Sequence, residues 1–350
     1  MFYSREEEYK MINHFGLNIG SDTIEVVQVA KEKNSYRLLS VGMCKTPGAG
    51  ITSDSEKDLV SLAEAIRKLK NEAKIKTNEV ASAIPERNVF SQIIEVPRMG
   101  IDELSEAIPW EAENIIPQPL SEVNLDWQII ESNENKSADK MKVLLVAAPT
   151  LLINKYIKVF KIAGLDPVAL ETEVISTIRC LKPIFNQGSL IIANLGGRSS
   201  ELSLISRGNL YLTRSLPMAG EAITRAIVSS LNLDVLVAEE YKKNYGLSSQ
   251  LEGKVASAIE PILSTVSDEI KKAISFYQGK EQDALKLMIL SGGTSLLPGI
   301  AEFFTKSIGI EVQIADPLSL INMNDQTRQA LKRSSPLFTI PLGLAMKEKS

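Results

Sequence analysis

The chain reads as an α/β protein made of two similar halves, each with its own β-sheet core. Three observations predict this. Apolar runs of strand length alternate with helix-spaced apolar positions along most of the 350 residues, as in helices packed on sheets. One strand-turn-strand unit occurs twice: residues 190–206, LIIANLGGRSSELSLIS, and residues 15–29, FGLNIGSDTIEVVQV. Asn18 matches Asn194, Gly20 matches Gly196, Glu25 matches Glu201 and Val26 matches Leu202, at one offset (194 − 18 = 176). Two copies at a fixed spacing indicate two related half-molecules. The length and 44% hydrophobic content also exceed one core, which stops growing near ~250–300 residues.

Taken in order, residues 1–13 are a polar lead, loose or weakly helical. Residues 15–18, 23–30 and 36–46 read as consecutive antiparallel strands. Residues 53–74 are a helix, with Leu59, Leu62, Ala63, Ile66 and Leu69 at 3- and 4-residue spacing and Asp54 or Ser55 to cap it. Residues 79–84 are a further strand, and the first half runs over 14–87. Residues 88–164 form an inserted α+β subdomain. It has strands at 90–96, 123–130 and 141–148, a solvated loop at 131–140, and helices at 102–115 and 151–163. Pro109 removes an interior hydrogen bond, so a bend or break is expected there.

Residues 165–336 are the second half. A connector precedes the hairpin of 190–206, in which residues 190–193 are a strand buried on both faces. Gly196 and Gly197 allow a tight turn whose exposed N–H groups can cradle a phosphate. A strand at 210–216 and helices from about 218 to 231 and from 234 to 245 follow, the second ending at Gly246. Residues 251–278 are a long amphipathic helix, with a break or restart expected at Pro261. Strand, helix and strand at 286–290, 299–307 and 311–315 close this half. Residues 337–350 hold a final short helix that returns to the first half.

Composition excludes several classes. Net charge is −4 with no long block of one sign, so a basic nucleic-acid footprint is absent. The longest apolar run, near residues 143–149, is far short of the ~18 residues of a membrane span, and the charged N-terminus is no signal peptide. Cys44 and Cys180, the two cysteines, suit reduced buried thiols of a cytoplasmic protein. His14 is the only histidine, so two-histidine metal sites and Ser-His-Asp chemistry lack their parts.

The paired hairpins resemble the two phosphate loops of the actin-like (ribonuclease H-like) ATPase superfamily, with its duplicated β-sheet cores in two lobes. The run MILSGGTSLLPG at 288–299 resembles the glycine turn that borders the adenosine there. The insert narrows the resemblance. Its Trp110-Glu111-Ala112-Glu113, Ile116-Pro117 and Leu125-Asp126-Trp127 are similar to the PilM family of type IV pilus assembly components, over about residues 15–346. This resemblance implies that ATP is bound with the two loops facing each other across a cleft. Asn18, Gly20, Ser21 and Asp22 would approach the phosphates from one side, and Asn194, Gly196, Gly197, Arg198 and Ser199 from the other. Gly220 and Thr224 would form the phosphate- or ribose-side turn, Glu239 and Lys242 would flank the base, and Gly292, Gly293 and Thr294 would close over the adenosine.

Active superfamily members carry acidic residues where Asn18 and Asn194 stand. An amide supplies no charge to a hard cation and accepts no proton as a base, so Mg²⁺ binding is weakened and hydrolysis is expected to be slow or absent. The implied role is a cytoplasmic adaptor that binds the cytoplasmic N-terminal tail of a PilN-like inner-membrane protein and meets the membrane only through that partner. Other pilus components and self-association are further implied partners. Residues 90–96 and 141–148 are candidate groove segments, because an extended peptide can add along a sheet edge. The alternatives are an active ATPase or sugar kinase, which needs a cleft carboxylate, and an FtsA-like membrane-associated division protein. The latter ends in an amphipathic membrane helix, and no such segment is expected after residue 347.

Overall fold

The computed structural model describes residues 10–130, 139–185, 188–279 and 284–348. The chain opens with β1 (Lys10–Met11), β2 (Phe15–Ile19), β3 (Thr23–Lys31), β4 (Tyr36–Lys45), α1 (Glu56–Glu72) and β5 (Glu79–Ile84). It continues with β6 (Phe90–Pro97), α2 (Ile101–Ile115), β7 (Val123–Ile129), β8 (Lys140–Pro149), α3 (Thr150–Ala163), β9 (Asp166–Thr172) and α4 (Glu173–Phe185). Next come β10 (Leu190–Leu195), β11 (Ser200–Ser206), β12 (Asn209–Leu216), α5 (Gly220–Leu231), α6 (Val235–Tyr245) and α7 (Lys254–Gln278). Last are β13 (Leu287–Ser291), α8 (Ile300–Ile308), β14 (Glu311–Ile314), α9 (Asp325–Leu331) and α10 (Thr339–Ala345).

These elements form two compact units. The first draws on residues 1–83, 156–183 and 316–350, the second on 84–155 and 184–315. In the first unit the sheet runs β1-β3-β2-β5-β9, and β4 also pairs with β3. Strand β2, FGLNI, is buried throughout, which is why it reads as a nearly unbroken apolar run. Helix α1 buries Leu59, Leu62, Ala63, Ile66 and Leu69, the stripe its spacing predicts. Helix α10 packs on β2 and β3 and is buried along its whole length. Two separate close contacts of α10, one with β2 and one with α4, each require a glycine. A Cβ on Gly16 would sit 2.0 Å from the Pro341 carbonyl oxygen, and one on Gly343 would sit 1.9 Å from that of Ser176. His14 is buried and hydrogen-bonds through Nε2 to the Leu344 carbonyl at 3.1 Å, so it ties β2 to the same helix.

The second unit holds a sheet in the order β12-β11-β10-β13-β14. β10–β11 and β11–β12 are antiparallel, while β10–β13 and β13–β14 are parallel. Its core includes Ile191, Ala193, Leu195, Ile223, Ile227, Ile259, Leu263, Met288 and Leu290. The same unit carries a three-stranded sheet, β6-β8-β7, whose core joins Leu104, Ile108 and Ala112 of α2 to Val143 and Leu145 of β8.

Several expectations need correction. Pro109 and Pro261 break neither α2 nor α7, which run on through them. Each proline removes the bond to the carbonyl four residues back, of Ser105 and Ser257, and both of these residues lie on an exposed face, where water can take its place. The predicted start of the earlier helix, residue 102, lies inside α2, and the cap residue Gly100 makes no side-chain cap bond. Residues 166–172 form β9, an edge strand beside β5, rather than a connector. Lys10 and Met11 pair with β3 instead of lying loose. The rest of the polar lead, and most of the predicted 131–140 loop, fall outside the described residues.

Candidate functional site

The two matched hairpins are built alike. Asn18 pairs with Glu25 across β2 and β3, and Asn194 pairs with Glu201 across β10 and β11. Both asparagines are therefore strand residues, not tip residues. The Gly20 N–H donates to the Thr23 carbonyl at 2.9 Å, and the Gly196 N–H to that of Ser199 at 3.0 Å. A Cβ on Gly20 would lie 2.8 Å from the Thr23 oxygen, and one on Gly196 would lie 2.9 Å from the Ser199 oxygen. Neither glycine has positive φ. Clearance, not left-handed backbone, is why glycine stands at both turns. Their N–H groups are consumed within the turns. Those of Ser21, Gly197 and Gly293 make no hydrogen bond among the described residues, and they are what the glycine turns offer an anion.

The predicted residues of the second unit converge on Gly196 and Gly220. The Gly220 N–H donates to the Gly196 carbonyl at 3.1 Å, and the Thr294 hydroxyl donates to the same oxygen at 2.7 Å. Lys242 Nζ donates to the Gly220 carbonyl at 3.2 Å and to Thr224 Oγ1 at 3.0 Å, and it pairs with Glu239 Oε2 at 2.6 Å. Thr224 in turn donates to Glu239 at 2.7 Å. A Cβ on Gly220 would meet Thr294 Oγ1 at 2.8 Å, so this close assembly also depends on a missing side chain. Gly292 has φ +80°, and a Cβ there would stand 2.6 Å from Asn194 Oδ1. Three turns thus meet at one place, beside a buried ammonium group. Lys242 and Glu239 are not the solvated surface charges that helix position alone suggests: Lys242 is only 9% exposed. Half-burial disfavours the Glu239 carboxylate, but hydrogen bonds from Lys242 and Thr224 and the lysine charges outweigh it and lower its pKa. Arg198 is engaged by Glu221 at 2.8 Å, and the Glu221 N–H closes back on the Gly197 carbonyl at 2.8 Å.

In the first unit, Thr46 braces the turn. Its hydroxyl donates to the Gly20 carbonyl and its N–H to that of Asp22, both at 2.9 Å. Asn18, Gly20, Ser21 and Asp22 thus gather at one bend of that unit. Sequence reasoning gave no role to Glu25, Glu201 or Thr23. Yet Asn18 Nδ2 donates to Glu25 Oε2 at 2.9 Å and the Thr23 hydroxyl donates to Oε1. Asn194 Nδ2 donates to Glu201 Oε2 at 3.3 Å and the Ser199 hydroxyl to Oε1 at 2.8 Å. The signal was present in the matched Glu25 and Glu201, each two residues after a hydroxyl. Burial pushes the Glu25 carboxyl up to about 8, against the pull of the Thr23 and Asn18 hydrogen bonds and with the help of the Asp22 charge. Burial likewise holds Glu201 above the ordinary carboxylate range, opposed by the Ser199 hydrogen bond and aided by the charge of Glu86.

The N–H groups of Gly197 and Gly293, beside this cluster and its lysine, are the donors that suit a phosphate-bearing ligand. Among the described residues no cluster of three or more His, Cys, Asp or Glu is placed to hold a metal ion. A cation arriving with a nucleotide would therefore rely mainly on the phosphates and its own waters. No helix among the described residues is long and apolar enough to cross a membrane.

The family described as type IV pilus assembly protein PilM matches residues 16–349. A solved chain of a PilM–PilN type IV pilus biogenesis complex superimposes with a TM-score of 0.85 at 27% identity, covering 96% of this chain and 98% of that one. MreB5 of Spiroplasma citri bound to AMPPNP superimposes with a TM-score of 0.53 at 13% identity, over 94% of each chain; that likeness concerns the fold alone, which is the actin-like one. Cell division protein FtsA of Streptococcus pneumoniae serotype 2 (strain D39) is 22% identical, over 86% of this chain and 75% of its own length.

Proposed function

Because this chain belongs to the PilM family of type IV pilus assembly proteins, we propose that it is a cytoplasmic, nucleotide-binding adaptor of the pilus machinery. Its partner is the cytoplasmic N-terminal tail of a PilN-like inner-membrane protein, and it meets the membrane through that partner. The observation that carries the nucleotide part is the convergence of Gly196, Gly220, Thr224, Glu239, Lys242 and Thr294 in one hydrogen-bonded cluster. ATP is the ligand this reading assigns, with its phosphates at the N–H groups of Gly197 and Gly293 and Lys242 as the neighbouring cation. Hydrolysis is slow or absent, because the strand positions that would hold catalytic carboxylates carry Asn18 and Asn194.

The partner reading is supported by the similarity to a chain solved in a complex with PilN. Strand β8 is paired on both edges, by β6 and by β7, so residues 141–148 cannot accept an added strand. The tail docks along β6 or β7, where a main-chain ladder can extend. Two measurements test the whole. Calorimetric titration with ATP should show saturable binding. A synthetic tail peptide of the partner should be retained by the protein in the presence of ATP. Absence of peptide binding with and without ATP ends the adaptor reading, and single-turnover hydrolysis at kinase-like rates ends the weak-hydrolysis reading.

A further inference from the structure

The chain carries a net charge of −4, but one face of the first unit is basic. The end of α1 and the turn after it read RKLKNEAKIK over residues 67–76, with five basic residues and one acidic. Arg67, Lys74 and Lys76 are exposed and make no ion pair among the described residues. Lys68 meets Glu72 at 3.9 Å, with both side chains mostly in water, so that pair holds the lysine only loosely.

Helix α3 lies beside α1, because Lys158 Nζ pairs with Glu56 Oε1 at 2.8 Å. It buries Tyr156, Val159, Phe160 and Ala163. The opposite stripe holds Ile157, Lys158, Lys161 and Ile162, all exposed, the isoleucines by 43% and 37%. Edge strand β9 adds the exposed Val168. Ala169 packs with Ile340 and Leu344 of α10, so Val168, one residue away, faces the other side of the sheet. That side belongs to α1. Gly16 faces α10, whereas the next residue, Leu17, and its ladder partners Val26 and Gly42 face α1, where a Cβ on Gly42 would meet Leu69 at 3.0 Å. Lys70 joins the two places: its Nζ donates to Asn78 Oδ1 at 2.8 Å, and the Asn78 carbonyl accepts from the Asp166 N–H, at the start of β9, at 2.9 Å. The exposed isoleucines and valine thus share one side of the sheet with the lysine-rich end of α1.

We propose that this face rests directly on an anionic phospholipid surface. A lysine can lay its methylene stem along an apolar layer and keep its ammonium among the headgroups, and a helix face of isoleucine and lysine suits that boundary. A protein partner fits less well. Interfaces between proteins favour aromatic residues and arginine and are poor in lysine, whereas this face carries lysine, isoleucine and valine with a single arginine. Glu56, Glu64, Glu72 and Asp166 temper its charge, so the contact is reversible and sensitive to salt. Stable attachment to a membrane commonly takes two signals. In the adaptor reading the partner's tail is the first, and this face is the second.

Sedimentation of the full chain with bare vesicles is the test. Such vesicles carry no partner, so the outcome is independent of the adaptor reading. At low salt the wild type should pellet with vesicles of phosphatidylglycerol in phosphatidylcholine, should be released as salt rises, and should stay in solution with pure phosphatidylcholine. A lysine near such a surface is worth about fivefold in partitioning, so Lys74→Gln/Lys76→Gln/Lys161→Gln should bind about 100-fold more weakly. Ile157→Ser/Ile162→Ser should keep the preference for anionic vesicles and bind about tenfold more weakly. Lys271→Gln/Lys286→Gln/Lys306→Gln, which removes the same charge from exposed sites of the second unit, should bind like wild type. Urea midpoints confirm that the variants fold. A wild type that binds neither kind of vesicle, or both equally, overturns the proposal. So does a lysine or isoleucine variant of this face that binds like wild type, or a second-unit variant that loses as much. Binding to polyglutamate in place of vesicles also overturns it and assigns the face to an acidic protein.

Discussion

Replacing Asn18 with aspartate would appear to return the carboxylate that active relatives of this fold carry. The geometry argues that the variant is instead penalised in a pH-dependent way. Asn18 Nδ2 lies 2.9 Å from Glu25 Oε2. Two unit charges at that separation repel by about 6 kcal/mol at an effective dielectric of ~20. The molecule can avoid this by keeping one proton between the two carboxyls. At pH 6 that proton is already present, because burial pushes Glu25 up to about 8, and the variant exchanges one hydrogen bond for another at about 1 kcal/mol. Wild-type Glu25 has a folded pKa above its unfolded value. Its stabilising contribution is complete below the unfolded value, falls as pH rises, and levels off near pH 8. In the variant the pair retains its proton to higher pH, so the decline continues at about 1.4 kcal/mol per pH unit. Relative to wild type, Asn18→Asp should cost about 1 kcal/mol at pH 6 and about 2.5 kcal/mol at pH 9. Urea unfolding at pH 6, 7.5 and 9 measures this. The double variant Asn18→Asp/Glu25→Gln has one carboxyl again, and its profile should run parallel to wild type. A penalty that is flat from pH 6 to 9, or a double variant whose losses simply add, would refute the reasoning.

Three further outcomes follow from contacts already described. Gly196→Ala drives a Cβ to within 2.9 Å of the Ser199 carbonyl and should cost about 1–3 kcal/mol while weakening ATP binding; Gly20→Ala, the matched change, should behave alike in thermal melts. Lys242→Met leaves the Gly220 carbonyl, Thr224 and Glu239 without their shared donor; a loss of about 1–3 kcal/mol is expected, and a cycle with Glu239→Gln should show coupling between the two side chains. Gly343→Ala meets the Ser176 carbonyl at 1.9 Å and should destabilise by about 3 kcal/mol, read as a fall in the urea midpoint, whereas Trp110→Ser, at a residue 73% exposed, should leave that midpoint unchanged.

Strands that lie inside a sheet were legible because burial on both faces leaves a plain apolar run, as in residues 190–193. Edge strand β9 was not: Asp166-Pro167 and Glu171-Thr172 look like a connector, and only its pairing beside β5 makes it a strand. The two prolines within α2 and α7 were read by their local effect, and the exposure of the serine four residues earlier is a surface property that no spacing rule contains. At the site, repeat matching found the glycine turns and the asparagines, and the family resemblance pointed to Lys242. It did not find what holds them. A glutamate in a strand is ordinarily taken as outward-facing, so the matched Glu25 and Glu201 were counted as evidence of duplication but assigned no task. Their partners lie across the ladder, and cross-ladder polarity emerges only with register.

The placement of α10 on β2 bears on how this protein is made. The strand is translated long before the helix, so this sheet leaves the ribosome well before its cover exists. The second unit, drawn from 84–155 and 184–315, has all its pieces earlier. Domains generally fold as units during synthesis, so the later-numbered unit should reach its native state on the ribosome while the first still waits, and stalling the chain before residue 339 should yield a nascent species in which a protease cuts the N-terminal sheet preferentially.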